Sequence, residues 1–188
     1  MASLDNSFQK LRKGLVEKSV APDAVVSHAV SAFDASCRDM INQLKKRIPM
    51  KPARMKRLKR LIFHDIESAT FNEVKAAFEV DLLRGIDSQT TAFLKMMLER
   101  RHVYEHNGGV ADDRYLEKSG DDSWRVGDLI RETDSNAHQL LSTLPILAQN
   151  LHDDFHEIFT LTEWPVKYFD ERTGKRKQST WFGKEQTE

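Results

Sequence analysis

The stretch AVVSHAVSAFDASCRDMINQLKKRI, residues 24–48, decides the fold class. Its apolar side chains recur every three or four positions, the spacing that lines one face of an α-helix. Pro22 and Asp23 before it are typical of a helix start, and Pro49 ends it because proline has no amide hydrogen to donate. The stripe consists of Val26, Ala29, Val30, Phe33, Cys37, Met40, Ile41, Leu44 and Ile48.

Helical spacing continues on the carboxyl-terminal side, while the alternation typical of strands is nearly absent before residue 160. Pro145 should kink or interrupt the last of these segments. We therefore predict an all-α fold, a bundle of about five helices with a long kinked C-terminal helix. The further predicted helices are a short one at 58–63, then 72–83, 88–104 and 128–159.

The chain of 188 residues is long enough for one hydrophobic core. We predict a helical domain at residues 1–159 and a C-terminal extension at 160–188. The extension is polar but contains aromatic residues, and it fits a small hairpin, a docking arm or a solvated tail. Its aromatic residues are Trp164, Tyr168, Phe169, Trp181 and Phe182.

The bulk composition favours no class of partner, because 29 basic and 29 acidic residues cancel. Cys37 is the single cysteine, which excludes an intramolecular disulfide and agrees with a reducing compartment. The first residues lack the apolar core of a signal peptide, and no apolar run has the length of a membrane span. We expect a cytoplasmic protein that does not enter membranes.

The segment most informative about chemistry is ERRHVYEHNGGVADDRYL, residues 99–116. It resembles the signature of the HEPN superfamily, an arginine and a polar residue followed after a short spacer by a histidine at the end of a long helix. Arg101, His102 and His106 occupy those positions. The continuation through Asn107–Val110 and 113–116 is also similar to that of many HEPN members.

The resemblance implies a metal-independent endoribonuclease, without a cofactor, that acts in phage defence or toxin-type growth control. RNA would be cleaved by attack of its own 2′-hydroxyl, leaving a cyclic phosphate and a free 5′-hydroxyl. Arg101 would stabilise charge on phosphorus, because guanidinium matches phosphate oxygens. His106 would move protons, because imidazole titrates near neutral pH. His102 would orient His106 or touch phosphate.

The resemblance also implies partners. These are RNA, a second copy of the chain that completes a composite site, and an antitoxin or regulatory protein. We predict that Asn107, Lys95 and Arg100 contact substrate. Five residues rotate by about 140° on an unbroken helix, so we expect the helix to loosen near His106 to bring it towards Arg101.

Two positions depart from patterns found in some members. Gly108 stands where certain toxins carry a tyrosine that a partner modifies, and Lys95 stands where some nucleases carry an acid. The alternative is therefore a non-catalytic, HEPN-like dimeric module that binds nucleic acid or protein. A third reading is a helical adaptor in which Arg101 and His106 only stabilise a helix end.

Two further features admit more than one interpretation. Nine Lys or Arg and no acid occur between Lys45 and Arg60, which suits either phosphate binding or a solvated loop. His152 and His156 have the four-residue spacing of a shared metal. Because Asp153 stands where a zincin needs glutamate, we interpret them as a polar helix face and predict no metal site.

Overall fold

The structure, a computed structural model, describes residues 2–159. Within them the only β-type pairing is an isolated antiparallel bridge between Val110 and Leu129. The all-α prediction is confirmed, with seven helices in the described residues where about five were predicted. The helices are α1 Ala2–Val16, α2 Pro22–Arg47, α3 Pro52–Arg57, α4 Ala69–Phe78, α5 Ser88–His106, α6 Asp113–Ser119 and α7 Asp134–Ile158.

The chain divides into two units, Met1–Phe155 and His156–Glu188. The second unit is described only at residues 156–159, where α7 ends. The predictions for the extension at 160–188 therefore lie outside the described residues. None of the helices described is both long and apolar enough to cross a membrane.

The core of the first unit is organised around α2, which packs against α1 and α5. The apolar stripe predicted for α2 is buried except at Met40 and Ile48, which are half-buried, and Val26, Phe33 and Ile41 are fully inaccessible to solvent. Helix α1 was not predicted, although Leu4, Phe8, and Leu15 repeat at helical spacing and are buried. These buried residues form a single row along α1, and the polar residues on both sides of that row make the helical pattern difficult to detect in the sequence.

Residues 58–63 do not form the short helix predicted there, since the helical turn lies earlier, at α3. Side chains bind the backbone amides that a helix would use. The Phe63 amide donates to Asp34 at 2.7 Å, and the Ile62 amide donates to the Thr70 hydroxyl at 3.0 Å. These contacts tie the segment to α2 and α4, so tertiary partners replace local helical bonds.

Helix α4 ends at Phe78, five residues before the predicted end at Leu83. Glu79 adopts a left-handed conformation, with φ of 62°. Beyond it, the Asp81 amide donates to the buried Asp154 carboxylate at 2.9 Å. The Asn150 side chain donates to the Leu82 carbonyl at 3.0 Å. Polar groups of α7 thus bind the backbone that would have continued α4.

Helix α7 begins at Asp134, six residues after the predicted start. Residues 128–130 instead lie extended beside residues 109–111. The Ala111 amide donates to the Asp128 carbonyl and the Ile130 amide to the Gly109 carbonyl, both at 2.8 Å. This pairing holds the segment before α7 against the end of α5.

Pro145 does not interrupt α7, which runs continuously through it. Proline lacks an amide hydrogen, so the Leu141 carbonyl one turn earlier loses its intrahelical donor. Arg12 of α1 supplies a replacement, because its guanidinium donates to the Leu141 oxygen at 2.6 Å. A tertiary hydrogen bond thus satisfies the carbonyl that the proline leaves unpaired.

Replacing Arg12 by alanine should lower the free energy of unfolding by about 1–2 kcal/mol, the cost of an unsatisfied buried carbonyl. In the Pro145→Ala background the backbone amide of residue 145 can donate to the Leu141 carbonyl. Arg12→Ala should therefore lower the free energy of unfolding by a smaller amount in that background. A double-mutant cycle of urea unfolding measures this coupling. Additive effects of the two substitutions would contradict this account.

Candidate active site

The carboxyl end of α5 carries the residues singled out by the motif. The helix remains regular through His106, and the Asn107 amide still donates to the Val103 carbonyl at 2.9 Å. The prediction that the helix loosens near His106 is therefore wrong. The chain turns only at Gly108 and Gly109, which have φ of 60° and 85°. These left-handed values suit glycine because it has no Cβ.

His102 and His106 lie on one face of α5 because they are four residues apart. Their ring centroids are 4.6 Å apart and the planes are inclined at 53°. His106 is exposed and His102 is half-buried. A single chain therefore presents two adjacent imidazoles, one open to solvent and one partly enclosed.

Arg114 of α6 contacts the His102 ring through a guanidinium nitrogen directed at Nε2. A guanidinium can only donate hydrogen bonds, so Nε2 must be the unprotonated acceptor and a neutral His102 carries its proton on Nδ1. The other terminal nitrogen of Arg114 lies 3.7 Å from Glu99 Oε2. Glu99 is buried, and this oxygen has no hydrogen-bond partner within the described residues.

Burial lowers the pKa of His102, and the positive charges of Arg114 and of protonated His106 lower it further. Arg101 acts in the same direction, while Asp112 opposes it. Burial raises the pKa of Glu99, although Arg114 and Lys118 partly offset this effect. The surroundings of the enclosed histidine therefore favour its neutral form.

Arg101 does not contact either histidine through a hydrogen bond or ring contact. Its guanidinium forms an ion pair with Glu105, at 2.5 Å, and its side chain is 15% exposed. The Arg101 Nε atom is buried and has no hydrogen-bond partner in the described part of the chain. The structure thus brings His102, His106 and Arg114 together, and leaves Arg101 on a neighbouring face.

Arg100 is buried, with a side-chain exposure of 7%. Its Nη2 donates to Asp121 at 2.7 Å, its Nη1 to Glu132 at 2.9 Å, and its Nε to the Tyr115 hydroxyl at 3.1 Å. Burial alone would lower the pKa of Arg100, but these partners outweigh it and the pKa is raised. The donors of this guanidinium are already bound to two carboxylates and a phenol inside the protein. We therefore withdraw the prediction that Arg100 contacts substrate.

The other two predicted substrate contacts, Lys95 and Asn107, are half-buried and have protein partners. Lys95 pairs with Glu67 at 2.6 Å, and its helical position places it on the His102 and His106 side of α5. The Asn107 amide donates to Asp112 at 2.6 Å. Asp112 caps α6 by accepting from the Tyr115 amide at 2.8 Å, so Asn107 links the ends of two helices.

A cleft of about 510 Å³ opens beyond the end of α5, lined in part by Tyr104, Gly108, Gly109, Arg131 and Glu132. None of the predicted catalytic side chains lines it. The lining is tightly packed at Gly109, because a Cβ there would lie 3.2 Å from Leu129 Cδ1. The cleft therefore adjoins the histidine pair without containing it.

Residues 3–159 contain no group of three or more His, Cys, Asp or Glu side chains arranged to hold a metal ion. His152 lies 3.5 Å from its neighbour Asp153 through Nδ1. His156 contacts the Phe159 carbonyl at 3.4 Å. These contacts agree with the interpretation of the pair as a polar helix face.

No family model, curated protein or solved structure matches this chain. The function proposed below therefore rests on the local motif and on the geometry of the described residues. The most informative part of that geometry is the histidine pair and its arginine.

Two residues of this cluster were not predicted from the sequence. Arg114 lies between the helices predicted at 88–104 and 128–159, in a region with no predicted helix, so its contact with α5 could not be foreseen. Nothing in the sequence distinguished Glu99 from an exposed helix residue. The four-residue spacing of His102 and His106 was visible in the sequence and predicts a shared face.

Replacing Arg100 by methionine should lower the free energy of unfolding by about 3–5 kcal/mol, because Asp121 and Glu132 would lose a buried counter-charge. Urea unfolding followed by circular dichroism measures the loss. The matched control is Arg125→Met at an exposed arginine, expected to change stability by about 0.5 kcal/mol or less. Equal stability of the two variants would contradict a structural role for Arg100.

Proposed function

We propose that this protein is a metal-independent endoribonuclease of the HEPN type, in which His102 and His106 move protons and Arg114 and Arg101 stabilise charge on the phosphate. The observation that carries the proposal is the pair of imidazoles 4.6 Å apart at an accessible helix end. Cleavage by the 2′-hydroxyl requires a base and an acid at one phosphodiester. The pair offers both, and the motif resemblance assigns the same region.

The contacts and exposure of the two histidines suggest which one acts as the base and which as the acid. Arg114 covers Nε2 of His102 in the free protein. A phosphate that draws Arg114 away would uncover that lone pair, and His102 would then accept the 2′-hydroxyl proton as oxygen attacks phosphorus. Exposed His106 would protonate the leaving 5′-oxygen as the P–O5′ bond breaks. The products are a 2′,3′-cyclic phosphate and a 5′-hydroxyl.

Arg101 is included in the proposal because it occupies the arginine position of the motif, since it does not contact the histidines. To bind phosphate, the Arg101 guanidinium would leave its ion pair with Glu105 and donate to phosphate oxygens instead. Both partners are anionic oxygen acceptors. A homodimer offers another route, since a two-fold axis repeats each residue at the interface. We therefore retain the homodimer, with a site shared between copies, as part of the proposal, together with a role in defence or toxin-type growth control.

Purified protein incubated with mixed RNA in EDTA should cleave it, because histidine and arginine provide the proton transfer and charge that other nucleases obtain from metal. His106→Ala should lower the rate by about 10²–10⁴-fold, and Arg101→Ala by about 10²–10³-fold. Mass spectrometry of the ends should find cyclic phosphate and 5′-hydroxyl. Circular dichroism should be unchanged in both variants.

The matched control is His28→Ala, which removes an exposed histidine from α2 and should keep full activity. Mixing Arg101→Ala with His106→Ala chains tests the shared site, since a composite dimer would regain part of the activity. Activity that requires added magnesium, or full activity in both variants, would refute the proposed mechanism. RNA binding without cleavage would favour the non-catalytic module instead.

Arg114→Gln should raise the pKa of His102 towards its ordinary value, because a positive charge that lowers it is removed. A base with a higher pKa is protonated at a higher pH, so the acidic limb of the pH–rate profile should move to higher pH. Titration of the histidine ring signals by NMR measures the pKa without relying on activity. Arg114→Lys, which keeps the charge, should retain most of the lowering.

The charged groups that shift the pKa of His102 are Arg114 from α6, Arg101 and His106 from α5, and Asp112 before α6. His106→Ala therefore serves as a second reference, because it removes a different neighbouring charge and assigns the second ring signal. An unchanged His102 titration in Arg114→Gln would show that the contact does not control this histidine.

A further inference from the structure

The stretch from Lys45, in the last turn of α2, to Arg60 forms a cationic surface. Of its nine Lys and Arg residues, all but Lys45 are exposed. Arg57 pairs with Glu73 at 2.8 Å. Six others have no acidic partner within 4 Å in the described part of the chain. We call these six the basic surface: Lys46, Lys51, Arg54, Lys56, Lys59 and Arg60.

Helix α3, at the centre of the basic surface, contributes no buried residue. Its own charges repel one another, because Lys51, Arg54 and Arg57 follow at three-residue intervals and like charges lie side by side. The helix dipole disfavours Lys51 at the amino-terminal end and favours Lys56 and Arg57 in the last turn. Burial does not account for this arrangement, since all of these cations are exposed.

A shallow cleft adjoins α3 and extends the cationic character onto α2. It measures about 360 Å³ and is lined by Arg38, Asn42, Lys59, Arg60, Leu61 and Ile62. Arg38 pairs with Asp34, yet 47% of its side chain is exposed. Guanidinium, ammonium and amide donors from two separate elements therefore converge on one concave surface.

We propose that the basic surface and this cleft bind the phosphate backbone of single-stranded RNA at a site distinct from the histidine pair. The choice of RNA as the polyanion rests on the proposed function. Repeated cations without acids match repeated phosphates, and their donors suit phosphate oxygens. The segment contains no aromatic residue between Lys45 and Arg60, so bases would not stack there and binding should be independent of sequence.

A membrane surface fits this region less well. Helices that lie on membranes bury a face rich in Leu, Phe or Trp, whereas the apolar residues of α3 besides its proline are Ala53 and Met55. An acidic protein partner would need its charges spread across both α3 and the α2 cleft. RNA satisfies the same geometry with a flexible chain of identical anions.

Fluorescence anisotropy with a labelled 2′-O-methyl oligouridine of about 20 nucleotides tests the proposal. This probe keeps the phosphates but lacks the attacking hydroxyl, so binding is measured without cleavage. The triple variant Lys51→Gln, Arg54→Gln, Lys56→Gln should bind about tenfold more weakly at low salt. Its log–log salt dependence should be shallower by about 2, since each lost phosphate contact on a single strand removes about 0.7.

The matched control is Lys10→Gln, Lys13→Gln, Arg125→Gln, which removes the same charge from exposed positions elsewhere. It should change affinity less than about twofold, as expected if local contacts and not net charge determine binding. A second variant, Lys59→Gln with Arg60→Gln, tests the cleft and should also weaken binding. It keeps the proposal testable if the α3 variant fails to fold.

Equal losses in the α3 variant and the control would overturn the proposal, as would absence of probe binding by the parent protein. If the α3 variant lost binding to phosphatidylserine vesicles but kept the parent affinity for the oligouridine probe, the proposal would be overturned in favour of a membrane-binding surface. Failure of the proposed function gives a different pattern, namely probe binding that depends on α3 without any cleavage of RNA in EDTA.

Discussion

The buried Arg100 guanidinium joins three parts of the chain that the sequence separates. It donates to Tyr115 of α6, to Asp121 after that helix, and to Glu132 before α7. Removing such charges from water costs several kcal/mol per ion, which only close and well-directed partners offset. The Tyr115 hydroxyl also donates to Asp121 at 2.6 Å. Since α6 carries Arg114 as well, the position of Arg114 against His102 depends on this network.

Neighbouring arginines in this protein illustrate how a helix separates similar residues. Successive side chains are rotated by about 100°, so Arg100 is directed into the interior and Arg101 to a partly covered face beside Glu105. His102 continues the rotation and shares its face with His106. The result is a site in which the cation nearest the imidazoles comes from another helix. Under the proposed function, the acid and the base needed at one phosphate would both come from one chain, and a second copy would add a further arginine and histidine pair.

The helices predicted best are those whose ends have local signals. Helix α2 has prolines at both ends, and α5 has a capping Asp87 that accepts from the Thr90 amide and ends before two glycines. The predicted ends failed where distant groups compete for the backbone, as Asp154 does beyond α4 and residues 109–111 do before α7. Helix α6 is too short and polar for periodicity to reveal it, and Pro145 lies within a helix because Arg12 replaces the missing donor.

The sequence by itself determined the all-α class and the main helices, because these follow from the spacing of apolar residues along the chain. Only the tertiary structure decided that Arg100 is interior, that Arg114 covers His102, and that Glu99 lies buried behind Arg114. Each of those outcomes depends on contacts between residues 12 to 32 positions apart in the chain. Local periodicity carries no information about such contacts, because they are set by which helices pack together and by where buried charge finds a partner.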